Sequence, residues 1–248
     1  MTVGSLARDL VDLFLPRGCL GCGERIPPED PESLVCVRCR GGLRSPAPPF
    51  CQRCSFPLGT GHPPGEPCPE CVRWDSALVS ARSSVILDST ASALVHALKY
   101  NGWRELAGFL VGRMERDLPR CLGNPVLVPV PTTAKRRWTR GYNQAALLAE
   151  GLSRRCSIPY ADSLRRPEGR TQVNLGPRDR RSNVDGAFVP CETSRSLIGG
   201  REVILVDDVL TTGATALAAT SALVAGGAVS VRLLTFARSL PYEKDKGF

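Results

Sequence analysis

Residues 203–215, VILVDDVLTTGAT, give the strongest indication of the fold of this chain. The first four are aliphatic and mostly β-branched, which is typical of a strand buried on both faces of a parallel sheet. Two adjacent aspartates follow, and a Thr-Thr-Gly turn then opens an alanine-rich helical stretch. Because open parallel sheets bind ligands at the carboxyl ends of their strands, this order predicts a binding site immediately after the strand.

The residues after the strand have the chemistry of a sugar-phosphate site. Asp207 and Asp208 would lose solvation in a buried setting, so the pair indicates a hydrogen-bonding or chelated partner, and ribose hydroxyls and Mg²⁺ both qualify. Backbone N–H groups and hydroxyls at a helix N-terminus favour an anion such as a 5′-phosphate. The residues that would offer them are Thr211, Thr212, Gly213, Ala214 and Thr215. The alternative, an ordinary strand–turn–helix unit with an aspartate cap, explains only part of this set.

Charge and hydropathy restrict the class of protein. The chain has 32 Lys and Arg against 24 Asp and Glu, a net charge of +8 that suits phosphate-rich ligands or nucleic acid. Residues 5–15 are interrupted by Asp9 and Asp12 and precede no small-residue cleavage site, so they predict a short amphipathic helix and not a signal peptide. No stretch approaches the roughly 20 apolar residues of a spanning helix. We expect a cytoplasmic protein with no membrane span.

The N-terminal quarter contains a duplicated cysteine pattern. Four Cys-x-x-Cys pairs occur in the first 71 residues, and the second two repeat the spacing of the first two with an offset of 32 residues. They are Cys19/Cys22, Cys36/Cys39, Cys51/Cys54 and Cys68/Cys71. Four thiolates complete a tetrahedral Zn²⁺ site and leave no open position for a substrate, so the pattern predicts two structural zinc ribbons.

Two alternatives to sequential zinc sites exist. An even number of cysteines also permits a disulfide framework, although the absence of a secretory signal favours reduced thiols. The zinc pairing could also be interleaved, with the first Cys-x-x-Cys pair joining the third. The matched spacing of the two halves favours sequential pairing.

After the last cysteine pair the chain changes to alternating strand-like and helix-like segments. This alternation predicts a mainly parallel sheet flanked by helices, with right-handed crossovers. We therefore divide the chain into residues 1–74, a short helix plus tandem zinc ribbons, and residues 75–248, an α/β domain. His96 lies among apolar residues of a predicted helix over 89–100, which favours a packing role over that of a catalytic base.

Two basic segments complete the candidate site. The first is the proline-stiffened turn at Pro131 and Thr132, which ends a predicted strand over 126–130 and precedes a basic cluster reaching Arg140; a solvated basic helix start is the alternative. The second is the polar loop over 165–183, which includes Arg170 and Arg180 and is a candidate flap over a polyphosphate. A plain disordered linker is its alternative.

Together these motifs resemble the ComF family, a branch of the type I phosphoribosyltransferases. The resemblance covers nearly the whole chain, from the cysteine pairs through residues 98–100, 128–131, 140–144 and 166–172 to residues 206–215. A more distant similarity is to the synthase half of glutamine 5-phosphoribosyl-1-pyrophosphate (PRPP) amidotransferase, whose glutaminase part has no counterpart here. The duplicated zinc ribbon departs from family members that carry a single four-cysteine finger.

The resemblance implies a ligand and residue roles. The ligand would be PRPP with Mg²⁺: Asp207 and Asp208 would hold the ribose hydroxyls as the catalytic pair, and residues 210–215 would cradle the 5′-phosphate. Pro131, Thr132, Arg140, Arg170 and Arg180 would face the pyrophosphate. The reaction would be displacement at C1 of PRPP by a nitrogen nucleophile that no motif identifies.

Two functions of another kind are also compatible with the resemblance. ComF relatives are implicated in competence and DNA uptake, so the chain could be an interaction module for single-stranded DNA or DNA-processing proteins without turnover. It could equally be a PRPP-sensing regulator. The sequence names no acceptor and does not decide among these functions.

Overall fold

The computed structural model describes residues 17–59, 61–63, 66–167 and 187–241, and the helix predicted over residues 5–15 lies outside them. A four-stranded parallel sheet with the order β1-β6-β5-β2 forms the centre. Its strands are β1 (Leu78–Ile86), β2 (Val126–Pro129), β5 (Glu202–Leu210) and β6 (Ser230–Arg238). The short strands β3 (Leu164–Arg165) and β4 (Val189–Pro190) pair antiparallel in a second sheet. The predicted α/β class is confirmed.

Helices flank the central sheet on both faces. Those in the described ranges are α1 (Val37–Gly42), α2 (Ser89–Tyr100), α3 (Leu106–Met114), α4 (Ala134–Arg140), α5 (Gln144–Cys156), α6 (Ser194–Ile198) and α7 (Ala214–Ala225). Apolar residues of α2, α3 and α5 share one buried cluster with Ile204 and Leu234. Residues of α6 and α7 share the other with Leu205 and Leu233. Because successive strand residues face opposite sides, the two clusters lie on the two faces of the sheet.

Each cysteine set packs against a different face. Cys19, Cys36 and Cys39 belong to the cluster that contains α2 and α3. The cysteines of the second set belong to the cluster that contains α7. The described residues of this quarter contain many prolines and little regular secondary structure. The sheet domain therefore stabilises the zinc-ribbon region in addition to its cysteines.

The boundaries of several elements differ from the sequence predictions. Strand β5 continues through the aspartates to Leu210, because β6 pairs with it over its whole length. Helix α2 has the predicted span and is capped by Asp88, whose side chain accepts from the Ala91 N–H at 2.9 Å. The sequence of residues 104–118 also predicts a helix, and the structure forms a shorter one, α3, followed by a 3₁₀ turn, Glu115–Asp117.

Candidate functional site

The two aspartates of strand β5 have different surroundings. Asp208 is buried, and its Oδ1 lies 2.9 Å from Lys99 Nζ at the end of α2. Its other oxygen, Oδ2, is buried and has no hydrogen-bond partner among the described residues. Burying an acceptor oxygen without a donor costs free energy, and a ligand that donates to it would remove this cost. Asp208 therefore has one acceptor position available to a ligand.

Asp207 is held by the backbone and by charge. Its Oδ1 accepts the Asp208 N–H at 2.9 Å, which fixes the carboxylate against the strand. Burial and the neighbouring Asp208 carboxylate raise the pKa of Asp207 to about 8. Near neutral pH the two aspartates together therefore carry fewer than two negative charges when no ligand is bound. A bound cation would favour ionisation of both carboxyl groups.

The aspartates line a cavity of about 430 Å³ at the carboxyl edge of the sheet. Its walls come from α2, the loop after β2, the start of α5, the end of β5 and the turn into α7. The lining residues that can form polar contacts include Ser92, His96, Lys99, Tyr100, Thr132, Arg136, Gln144, Arg166, Asp207, Asp208, Thr211 and Thr215. Three cations beside two carboxylates suit a ligand that is anionic at one end and rich in hydroxyls at the other.

The turn from β5 into α7 has the geometry of an anion-binding helix start. Gly213 precedes the helix with φ +84°, a left-handed conformation that glycine adopts without a Cβ clash. As a glycine, this N-cap residue has no side chain that could cap the helix. The Ala214 N–H donates instead to Thr212 Oγ1 at 3.4 Å. Thr211, Thr212 and Thr215 are exposed, so hydroxyls and N–H groups at this helix start face solvent.

Residues 140–144 connect α2, α5 and the end of β2 next to the cavity. Gly141 ends α4 with φ +76°, and the Tyr142 hydroxyl donates to the Leu98 carbonyl of α2. Asn143 donates to the Val130 carbonyl at 3.0 Å and caps α5 through the Ala145 N–H. The segment therefore fixes the end of β2 against α2 and α5.

The predicted site residues fall into three groups. The structure brings Asp207, Asp208, Thr211, Thr215, Pro131 and Thr132 together around the cavity, with Thr212, Gly213 and Ala214 completing the turn. Arg140 lies next to the cavity, but its Nη1 donates to Gln144 Oε1 at 3.0 Å and its guanidinium lies 4.7 Å from the Tyr100 ring centroid. Arg170 and Arg180 lie outside the described residues.

Two cavity residues, Lys99 and His96, have no local sequence signal for their place in the site. Lys99 lies in the motif over residues 98–100, but only the fold shows that its ammonium group pairs with Asp208. His96 was predicted to pack inside; the structure exposes it on the cavity side of α2, with its ring 4.8 Å from that of Tyr100. The helix buries positions 91, 94, 95, 97 and 98, so the opposite face carries His96.

The cysteines form two four-thiol groups with the sequential pairing. Cys19, Cys22, Cys36 and Cys39 form one group and Cys51, Cys54, Cys68 and Cys71 the other, with all ligand atoms of a group within 4.8 Å of one another. Sulfur–sulfur distances of 3.6 Å for Cys51–Cys71 and 3.7 Å for Cys54–Cys68 are far longer than a disulfide bond. They match the edges of a tetrahedron with Zn–S bonds of about 2.3 Å. Both groups fit structural Zn²⁺, as predicted.

A comparison with protein families agrees with the two cysteine groups. A double zinc ribbon domain matches residues 10–72. Glutamine PRPP amidotransferase from B. subtilis, solved with ADP and GMP, superposes with a TM-score of 0.37 and 22% identity over 51% of this chain and 25% of that one. This structural likeness is too distant to inform the chemistry. In the described part of the chain, none of the helices combines the length and the apolar character needed to cross a membrane.

Curated relatives match most of the chain. Competence protein ComFC of Bacillus subtilis is 28% identical over 220 residues, covering 84% of this chain and 86% of that protein. Competence protein F of Haemophilus influenzae is 35% identical over 204 residues, covering 73% of this chain and 86% of that protein. With this identity and coverage, the predicted resemblance is confirmed, and the chain belongs to the ComF family of competence proteins.

Proposed function

We propose that this chain binds PRPP together with Mg²⁺ in the cavity at the carboxyl edge of the sheet. The observation that carries the proposal is Asp208 Oδ2, which is buried and has no hydrogen-bond partner in the part of the chain that the structure describes. A ribose hydroxyl is a donor that would satisfy it. Asp207 lines the same cavity and is the second acceptor. Carboxylates and ribose hydroxyls both suit a hard cation, so Mg²⁺ would share this side of the ligand.

The two phosphate ends of PRPP would occupy opposite walls. The 5′-phosphate fits the turn at Thr211–Thr215, where N–H groups and hydroxyls surround a helix start. The pyrophosphate fits the wall formed by Pro131, Thr132 and Arg136, with Arg166 on the same side of the cavity. Arg140, Arg170 and Arg180 remain proposed pyrophosphate ligands; Arg140 would have to leave Gln144 to act as one.

Phosphoribosyl transfer is the reaction that such a site would support. The protein would orient PRPP through the aspartates and stabilise departing Mg²⁺-pyrophosphate through the arginines. His96 also lines the cavity, and an imidazole is a chemical group suited to general-base catalysis. The acceptor would be a nitrogen nucleophile, and a cytoplasmic location would supply both PRPP and Mg²⁺.

Calorimetric titration with PRPP and Mg²⁺ tests the proposal. We expect binding by the wild type and its loss when Asp207→Ala and Asp208→Ala are combined, while Asp162→Ala, an exposed carboxylate outside this cavity, keeps it. Pyrophosphate release on addition of amines or nucleobases would identify a transferase, and binding without release would identify a PRPP sensor. Absence of binding by zinc-loaded wild type would refute PRPP as the ligand.

A second candidate function, binding of single-stranded DNA, rests on a separate groove. A cavity of about 800 Å³ lies between the segment joining the two cysteine sets and β1, and Arg82, Arg116 and Arg120 line it. Serine hydroxyls and Phe50 also line it, a combination that suits a phosphate backbone and a stacked base. The relatives are named competence proteins, which accords with a DNA ligand.

Fluorescence anisotropy with a labelled oligonucleotide tests this second function. We expect salt-sensitive binding that Arg116→Ala plus Arg120→Ala weakens and that the paired aspartate substitutions leave intact. Equal loss in both variants would locate DNA at the PRPP cavity and contradict the separate groove.

A further inference from the structure

Trp74, just beyond the second cysteine set, lies directly against the turn that begins α7. A Cβ placed on Gly213 would lie 2.7 Å from Trp74 Cζ2 and 2.9 Å from Cε2. The indole is 7% exposed and belongs to the same buried cluster as Leu210 and Ala216, which flank the turn. Gly213, with its left-handed backbone conformation, therefore packs directly against the Trp74 indole.

The second cysteine set fixes the position of this indole. Trp74 follows Cys71 by three residues, and the backbone N–H of Trp74 donates to the Cys71 carbonyl at 3.1 Å. Arg53, which lies between Cys51 and Cys54, donates to the Cys71 carbonyl at 2.9 Å and to the Trp74 carbonyl at 3.2 Å. Its guanidinium lies 5.9 Å from the Trp74 ring centroid. A metal that closes the four thiolates would therefore hold Trp74 in place as well.

A second contact joins the same ribbon to the strand ends below the turn. Glu70, between Cys68 and Cys71, accepts from Arg238 Nη2 at 3.2 Å, and Arg238 is fully buried at the end of β6. The next residue, Ser239, donates its N–H to the Leu210 carbonyl at 2.8 Å, immediately before the turn. The ribbon thus contacts the turn directly through Trp74, and it contacts the neighbouring end of β6 through Glu70.

The first cysteine set makes no such contact in the described residues. A Cβ on Gly21 would lie 3.1 Å from Thr90 Cγ2, which places this ribbon at the first turn of α2. Lys99, which faces the cavity, is at the other end of that helix. The two ribbons therefore differ in what they support, and the first one serves as an internal comparison for the second.

We propose that the second zinc ribbon is a positioning element for the phosphate-binding turn, with Trp74 as the positioning residue that holds Gly213 in its left-handed conformation. The ligand part of this inference rests on the proposed function, since it assumes that the 5′-phosphate binds at Thr211–Thr215. The structural part does not. The ribbon thereby shapes the phosphate site although none of its described residues lines the cavity.

Hydrogen exchange of the unliganded, zinc-loaded protein tests the structural part. The Leu217 N–H donates to the Gly213 carbonyl at 2.9 Å, so its exchange reports on the turn. We expect Trp74→Ala to speed exchange across residues 211–217 by about tenfold or more, Trp74→Phe to restore most of the protection, and Trp103→Ala to change nothing there. Unchanged exchange in a folded Trp74→Ala variant, or faster exchange throughout the sheet, would overturn the proposal. If Trp74→Ala fails to fold, Trp74→Leu replaces it with the same expected results.

Binding and fluorescence test the ligand part. The chain has three tryptophans, and Trp103→Phe with Trp138→Phe leaves Trp74 as the reporter. We expect its emission to change on addition of Mg²⁺-PRPP or inorganic phosphate, and Trp74→Ala to weaken PRPP binding by about tenfold or more at unchanged zinc content. An emission that does not respond to a ligand shown to bind would overturn the role in binding. If the wild type binds no PRPP but the exchange result holds, the proposed function fails and the positioning role of Trp74 stands.

Discussion

Lys99 Nζ lies 2.9 Å from Asp208 Oδ1, and this ion pair joins the end of α2 to the strand that carries both aspartates. The Asp208 side chain is 4% exposed and that of Lys99 23%. The pair neutralises a carboxylate that the sheet would otherwise bury alone, and it leaves Oδ2 without a donor from residues 17–59, 61–63, 66–167 and 187–241. Lys99 therefore both stabilises the strand end and orients the free oxygen.

Removing the lysine should destabilise the fold. We expect Lys99→Met to lower the free energy of unfolding by about 2–4 kcal/mol, because the buried Asp208 loses its counter-charge while Lys99 itself keeps some solvent contact. Urea denaturation would measure this, with the exposed Lys135→Met as control. Adding Asp208→Asn should recover part of the loss. A Lys99→Met protein as stable as Lys135→Met would contradict a structural role for the pair.

The raised pKa of Asp207 predicts a pH-dependent stability. Burial and the Asp208 charge raise the pKa of Asp207 to about 8, so between about pH 4 and pH 8 the folded state holds a proton that the unfolded state has lost. Stability should fall as pH rises through this window, by at most about 1.4 kcal/mol per pH unit from this group. The difference in unfolding free energy between Asp207→Asn and the wild type should grow accordingly. A difference that stays constant from pH 4 to pH 8 would refute the shift.

Zinc content should follow the sequential cysteine groups. We expect elemental analysis to find two Zn²⁺ per chain, and Cys54→Ser to reduce this to one. Cys156→Ser, a cysteine outside both groups, should retain both ions. Chelation should lower the melting temperature, since each ribbon has few buried apolar residues of its own. Retention of two ions in Cys54→Ser would contradict the assigned ligand set.

The pair between Glu70 and Arg238 predicts a stability effect at the ribbon contact. Arg238 is fully buried, and its guanidinium also lies 5.5 Å from the Phe56 ring centroid. We expect Glu70→Gln to lower the free energy of unfolding by about 1–3 kcal/mol. This loss is smaller than that for a fully buried ion pair, because Glu70 is partly exposed. Glu66→Gln, exposed in the same ribbon, is the matched control. Equal stability of the two variants would mean that this ion pair contributes nothing measurable.

The sequence predicted the parts of the site that are local. The apolar run at 203–206 and the turn at 211–215 showed a strand end and a helix start, because backbone preferences act over a few residues. The cysteine spacing likewise predicted both four-thiol groups. The contacts of Lys99 and His96 depend on how α2 packs against the sheet, which periodicity along one helix does not specify.

The α/β class, the cysteine groups and the acid pair with its turn could be predicted from short sequence patterns, since each depends on residues close together in the chain. The ion pair of Lys99 with Asp208 and the contact of Trp74 with Gly213 arise only when the chain is folded. These pairs are separated by more than a hundred residues along the chain. They meet because parallel strands gather their carboxyl ends at one edge and the ribbon packs there, a long-range arrangement that no local pattern records.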